Sequence, residues 1–96
     1  MRQLTTRENK AVSLIIDEYI AATRINKPFA SAHEGYAIIL EELDELWDEI
    51  KKKEHRRKGS RMTEEAVQVG AMALRFLVDT CLLQAEEDNG VAHEIS

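Results

Sequence analysis

The chain has 96 residues, 44% of them apolar and 32% charged, which fits one folded domain spanning 1–96 and speaks against a disordered polypeptide. Thirteen lysines and arginines against 18 aspartates and glutamates leave a formal charge of −5, so binding to a polyanion such as nucleic acid is disfavoured. The opening MRQLTTRENK lacks the apolar core of a signal peptide, and no apolar run approaches the roughly 18 residues needed to span a bilayer, so a cytoplasmic protein without membrane attachment is expected.

Pro28 is the only proline and glycine is sparse, so long helices must fill the space between few breaks. Thr5 with Glu8 three residues on forms a capping-box pattern, and Val12, Ile15, Ile16, Tyr19 and Ile20 follow at helical spacing. This predicts a first helix to about Arg24. Pro28 disfavours helical geometry at Lys27 and separates it from the next.

SAHE opens a second helix, with Ser31 capping the amide of Glu34 and Glu34 reaching back to the amide of Ser31, and the helix is expected to run to about Lys53. Tyr36, Leu40, Leu43, Trp47 and Ile50 recur at spacings of four and three, a stripe suited to packing on other helices, with Glu41, Glu42, Glu45 and Glu49 on the far side. Trp47 is accordingly expected in the core or at an interface rather than stacked on a ligand.

KKKEHRRKGS is a basic connector in which Gly59 is the expected bend and Ser60 a cap. A third helix from about Arg61 to Glu86 has apolar residues nearly all the way round, which marks it as the central or interface helix. Cys81, the only cysteine, is expected in the core, and no internal disulfide is available. Asn89 and Gly90 are a stop signal, with the last six residues loosely held. The expected fold is an all-α bundle of three main helices per chain. A chain this short buries only about 60 to 70% of its unfolded surface, so completion as a homodimer or homotetramer is also expected.

The stretch ILEELDELWDEI sets carboxylates close together on the second helix, where Glu42 and Glu45 are i,i+3 neighbours and Glu41 is i,i+4 from Glu45. A solvated acidic face explains this as well as a site does, because like-charge pairs on a helix cost only about 0.2 to 0.5 kcal/mol each. The third helix adds a second i,i+3 oxygen pair, Glu65 and Gln68. In an antiparallel hairpin the two pairs can converge, and four oxygen ligands, mostly anionic, suit a hard cation such as Mg²⁺, with Mn²⁺ as a substitute. Asp79 lies about 16 Å beyond Gln68 along the axis and cannot join them.

At these residues the chain resembles a known family. EELDE, Glu41 to Glu45, fits the EExxE element of the MazG-like all-α nucleotide pyrophosphohydrolases, which an ExxD element on the next helix follows. The resemblance covers roughly residues 31–85. It implies Glu42, Glu45 and Glu65 as metal ligands, Gln68 in the place of the family's aspartate, and Glu41 as an auxiliary carboxylate. The implied reaction is hydrolysis of a nucleoside triphosphate to monophosphate and pyrophosphate, with Glu41 or Glu45 as the base. A glutamine offers a neutral oxygen where a carboxylate offers charge, so a catalytically silent nucleotide- or protein-binding module is the alternative.

The basic connector could bring a cation to the phosphates, with Lys51 the first candidate and Lys52, Lys53, Arg56 and Arg57 beside it; a solvated loop or an RNA-binding patch are the other readings. Arg75 shares the helical face of Gln68 and could contact phosphate or pair with a partner subunit. Met72 and Phe76 line either a base pocket or a subunit contact. His33, His55 and His93 have no metal-ligand partner at useful spacing.

Overall fold

Thr5 starts the first helix in the way its spacing from Glu8 predicts. In a computed structural model, which describes residues 2–52, 54–56 and 59–82, Thr5 Oγ1 accepts from the Glu8 amide at 3.1 Å. Glu8 Oε1 accepts from the Thr5 amide at 2.8 Å, and Arg2 clasps the same carboxylate at 2.7 Å. Helix α1 spans Thr6–Ile25. It stops where Asn26 turns extended, and the Asn26 backbone and side-chain amides both donate to the Ala22 carbonyl.

Helix α2, Ala32–Ile50, is capped by Ser31, whose Oγ accepts from the Glu34 amide at 3.1 Å. Glu34 takes the amide of Ala30 rather than that of Ser31, one residue further back than the spacing implied. After a 3₁₀ turn at Glu54–Arg56, helix α3 covers Gly59–Phe76 and continues as a π-helical turn over Leu77–Leu82. Gly59 is thus already helical instead of a bend, and Ser60 lies inside the first turn instead of capping it. The expected stop at Asn89 and Gly90 lies outside the described residues.

These elements make an all-helical bundle with no strand among the described residues, and none of the helices is long and apolar enough to cross a membrane. Helix α3 is central, packing against both α1 and α2. Two glycines permit the close approaches. A Cβ on Gly35 would come within 2.5 Å of the Phe76 ring, which fastens the start of α2 to the end of α3; one on Gly70 would meet Ile15 of α1 at 2.8 Å. At the Pro28 loop, Asp79 Oδ2 accepts from the Phe29 amide at 3.1 Å and ties the loop to the end of α3.

The core is small. Ala22, Phe29, Ala71 and Met72 are buried, with Tyr19, Ile38, Ile39 and Phe76 packed around them, and no large side chain among the described residues is fully enclosed. The Tyr36–Leu40–Leu43–Trp47–Ile50 stripe, expected to pack on other helices, faces outward within the chain; Tyr36 is 64% and Trp47 56% exposed. The face that meets α3 lies one residue away, about 100° round the helix, and carries Gly35, Ile39, Glu42, Leu46 and Glu49. Helix α2 therefore bears two adjacent seams with the same four-and-three spacing, and its own chain covers the one that holds carboxylates. Glu49, expected on the far side, is only 3% exposed and pairs with Lys52 at 2.8 Å. Cys81 is exposed, because Leu77, Val78 and Leu82 around it are uncovered too.

Candidate metal centre and adjoining cleft

The antiparallel pairing of α2 with α3 sets Gly35 beside Phe76 at one end and Glu45 beside Glu65 at the other. Glu42 and Glu45 stand one turn apart on α2, and Glu65 stands in the second turn of α3. One carboxylate oxygen from each of the three lies within 4.8 Å of the others. The same register puts Glu42 level with Gln68, and both border one cleft.

Three anions at this spacing repel one another, and the described residues supply little to offset it. Arg61 Nη2 reaches Glu65 Oε1 only at 3.9 Å. Glu65 Oε2 is buried and has no hydrogen-bond partner among the described residues, in a side chain only 13% exposed. Burial pushes the Glu42 carboxyl from its ordinary 4.5 up to about 7, helped by the negative charges of Glu45 and Glu65. Burial raises Glu65 as well, followed by proton sharing with Glu45. Glu42 and Glu65 thus hold their protons more tightly than ordinary carboxylates. An orphaned buried oxygen beside two further carboxylates is a donor set that fits a hard divalent ion.

The cleft holds about 320 Å³. Helix α1 gives it Ala21, Ala22 and Ile25 as an apolar wall, Ile38 of α2 faces them, and Met72 and Arg75 of α3 close the inner end. Glu41 stands exposed at its rim. Gln68 also borders a second hollow of about 300 Å³ between α1 and α3, with Asp17 and Glu64. Glu18 touches both hollows and, like Asn26 at the first, is not a residue to which the motif points. Its signal in the sequence is a carboxylate on the packed Ile15–Tyr19–Ala22 face of α1.

Of the two expected substrate cations, Arg75 lines the cleft and Lys51 does not. Lys51 is exposed at the end of α2 and pairs with Asp48 at 3.1 Å. Arg75 is buried about 15 Å along α3 from Glu65, with its guanidinium turned to the Pro28 loop. Of the rest of the basic connector, Lys53 and Arg57 lie outside the described residues. Met72 borders the cleft, whereas Phe76 packs over Gly35 beside Phe29. No family model matches this chain, and neither a curated protein nor a solved structure matches it.

Proposed function

We propose that this chain is a divalent-cation-dependent nucleoside triphosphate pyrophosphohydrolase of the MazG-like kind, working as a homo-oligomer in the cytoplasm. The observation that carries this reading is the meeting of Glu42, Glu45 and Glu65, from two helices, beside a cleft with an apolar wall. Glu42, Glu45 and Glu65 would hold Mg²⁺ or Mn²⁺, with Gln68 one turn along α3 from Glu65 as a further oxygen donor. The ion supplies charge neutralisation at the phosphates and acidifies a water held there.

The chain's own part is to bind the organic end of the substrate in the cleft and to take a proton. The water oxygen bonds to the α-phosphorus, the bond from that phosphorus to the α,β-bridging oxygen breaks, and pyrophosphate leaves with the bond's electrons. Glu41, at the rim and outside the three-carboxylate cluster, is better placed than Glu45 to accept the water's proton. The uncovered α2 stripe supports the oligomer, since contiguous apolar patches of this kind mark association surfaces.

The test is direct. Pure protein with Mg²⁺ and a panel of canonical and modified nucleoside triphosphates should release pyrophosphate, and chelation should stop it. Silence toward every triphosphate, together with no heat of metal binding in calorimetry, would sink the reading. Gln68, in a place where the related motif has aspartate, favours a second reading, a silent module that binds a nucleotide or protein on the same surface.

A further inference from the structure

The inner end of the cleft is closed by a buried guanidinium whose Nε has no hydrogen-bond partner among the described residues. Arg75 has a side chain only 6% exposed. Its Nη2 donates to the Lys27 carbonyl oxygen, while Nη1 finds only the thioether of Met72 at 3.9 Å. Nε stands 3.5 Å from Asp79 Oδ2 but makes no hydrogen bond. The Phe29 ring covers one face of the group, with its centroid 4.1 Å away. A guanidinium carries five N–H donors, all in its plane, so with a face blocked an acceptor must meet it edge-on.

The Asp79 carboxylate balances the charge of this buried cation, but the Nε donor itself is left without a hydrogen bond among the described residues. Arg75 stands about 10 Å along α3 from Gln68, at the end of the cleft away from the three carboxylates. The phosphates of a bound nucleotide belong at the carboxylate end, where Glu42, Glu45 and Glu65 would hold a cation able to neutralise their charge. The ring end of the ligand then points toward Arg75. Ala21 and Ala22, whose side chains are small, line the same cleft.

Resting on the nucleotide reading above, we propose that Arg75 is the specificity-determining residue of this cleft and donates to an exocyclic carbonyl oxygen of the base, so that keto bases are selected over their amino counterparts. Arginine suits such an oxygen well, as its recognition of guanine O6 illustrates. An amino group at the same place turns a donor toward a donor and leaves both unpaired, which is how a polar pocket rejects the wrong isostere.

Two pairs of triphosphates swap one exocyclic group each, together with the proton on the neighbouring ring nitrogen: inosine against adenosine at ring position 6, and uridine against cytidine at position 4. With the unaltered full chain and Mg²⁺, kcat/KM should favour inosine over adenosine and uridine over cytidine, each by tenfold or more. In Arg75→Lys, which keeps the charge but loses the fork, both ratios should fall toward one. Equal turnover within both pairs by the unaltered protein overturns the inference and leaves the pyrophosphohydrolase reading standing. No hydrolysis of any of the four, with no binding of their non-hydrolysable analogues, overturns the inference, and the pyrophosphohydrolase reading falls with it when the wider panel and metal calorimetry are silent too. Because the ratios of the unaltered protein decide the matter, a misfolded Arg75 variant does not rescue the inference.

Discussion

Glu42 of α2 and Glu65 of α3 turn their carboxylates toward each other across the helix pair, each with an oxygen within 4.8 Å of the other and of Glu45. Glu42 is held well above the ordinary carboxylate range, at about 7, and Glu65 is raised too. A group whose folded pKa is raised contributes stability in its protonated form. That contribution is complete below pH 4.5, and it is lost as the pH climbs through about 7.

The metal-free protein should therefore lose thermal stability between about pH 4.5 and 7, and a divalent cation should restore it at the upper end by replacing the protons. Affinity for Mg²⁺ or Mn²⁺ should rise with pH through the same window and then level off. Glu42→Gln, neutral at every pH, should flatten the melting-temperature slope and weaken the metal. Calorimetric titration and melting curves across pH 4 to 8 check this; a metal-free protein that melts at one temperature throughout sinks it.

Gln68 stands level with Glu42, where a fourth carboxylate would add charge to the same cation. Gln68→Asp should tighten Mg²⁺ binding by roughly tenfold, taking about 1 to 2 kcal/mol for an added charged ligand partner. The activity of the variant separates the two readings of the site. Turnover that stays within a few-fold means that the amide already suffices, whereas pyrophosphate release arising from none means that the natural chain is silent.

Gly35 is a point of close approach between α2 and Phe76 of α3. Alanine in a helix is ordinarily favoured over glycine by up to about 1 kcal/mol. At Gly35 that gain is outweighed, because the new Cβ would stand 2.5 Å from one Phe76 ring carbon and 3.0 Å from the Phe29 ring. Overpacking of this kind costs about 1 to 3 kcal/mol. Gly35→Ala should lower the melting temperature, while Gly59→Ala, with nothing within 4 Å, should leave it unchanged or raise it. Equal behaviour of the two variants in thermal denaturation would refute the close packing.

What local chemistry dictates was legible in the residues. The Thr5–Glu8 box, the Ser31 cap and the break before Pro28 each act within four residues, and all three helix starts and stops that depend on them follow. The pairing of Glu42 and Glu45 with Glu65 was legible too, because one i,i+3 pair on each arm of a hairpin meets at one level. The inward face of α2 was not. Two seams with identical spacing lie about 100° apart on this helix, and only the shape of α3 decides which one the chain covers. The burial of Arg75 depends on the Lys27 carbonyl and the Phe29 ring, both more than forty residues away in the chain, and no helical pattern records them.

The uncovered seam of α2 leads to the remaining prediction. Tyr36, Leu40, Leu43, Trp47 and Ile50 keep a heptad spacing over four turns, and all five are exposed. Strict spacing of this sort is what a partner helix needs in order to seat its side chains between them. Val12, Ile16 and Ile20 of α1 are likewise uncovered, so more than one surface is open to a second copy. Leu43 lies at the middle of the α2 stripe. Leu43→Glu puts a charge where apolar contact is required and should turn an oligomer into a monomer in sedimentation equilibrium. Since α2 meets α3 through its other face, the variant should keep its helical circular dichroism. A chain that sediments as a monomer before any change, at tens of micromolar, would remove the oligomer from the reading.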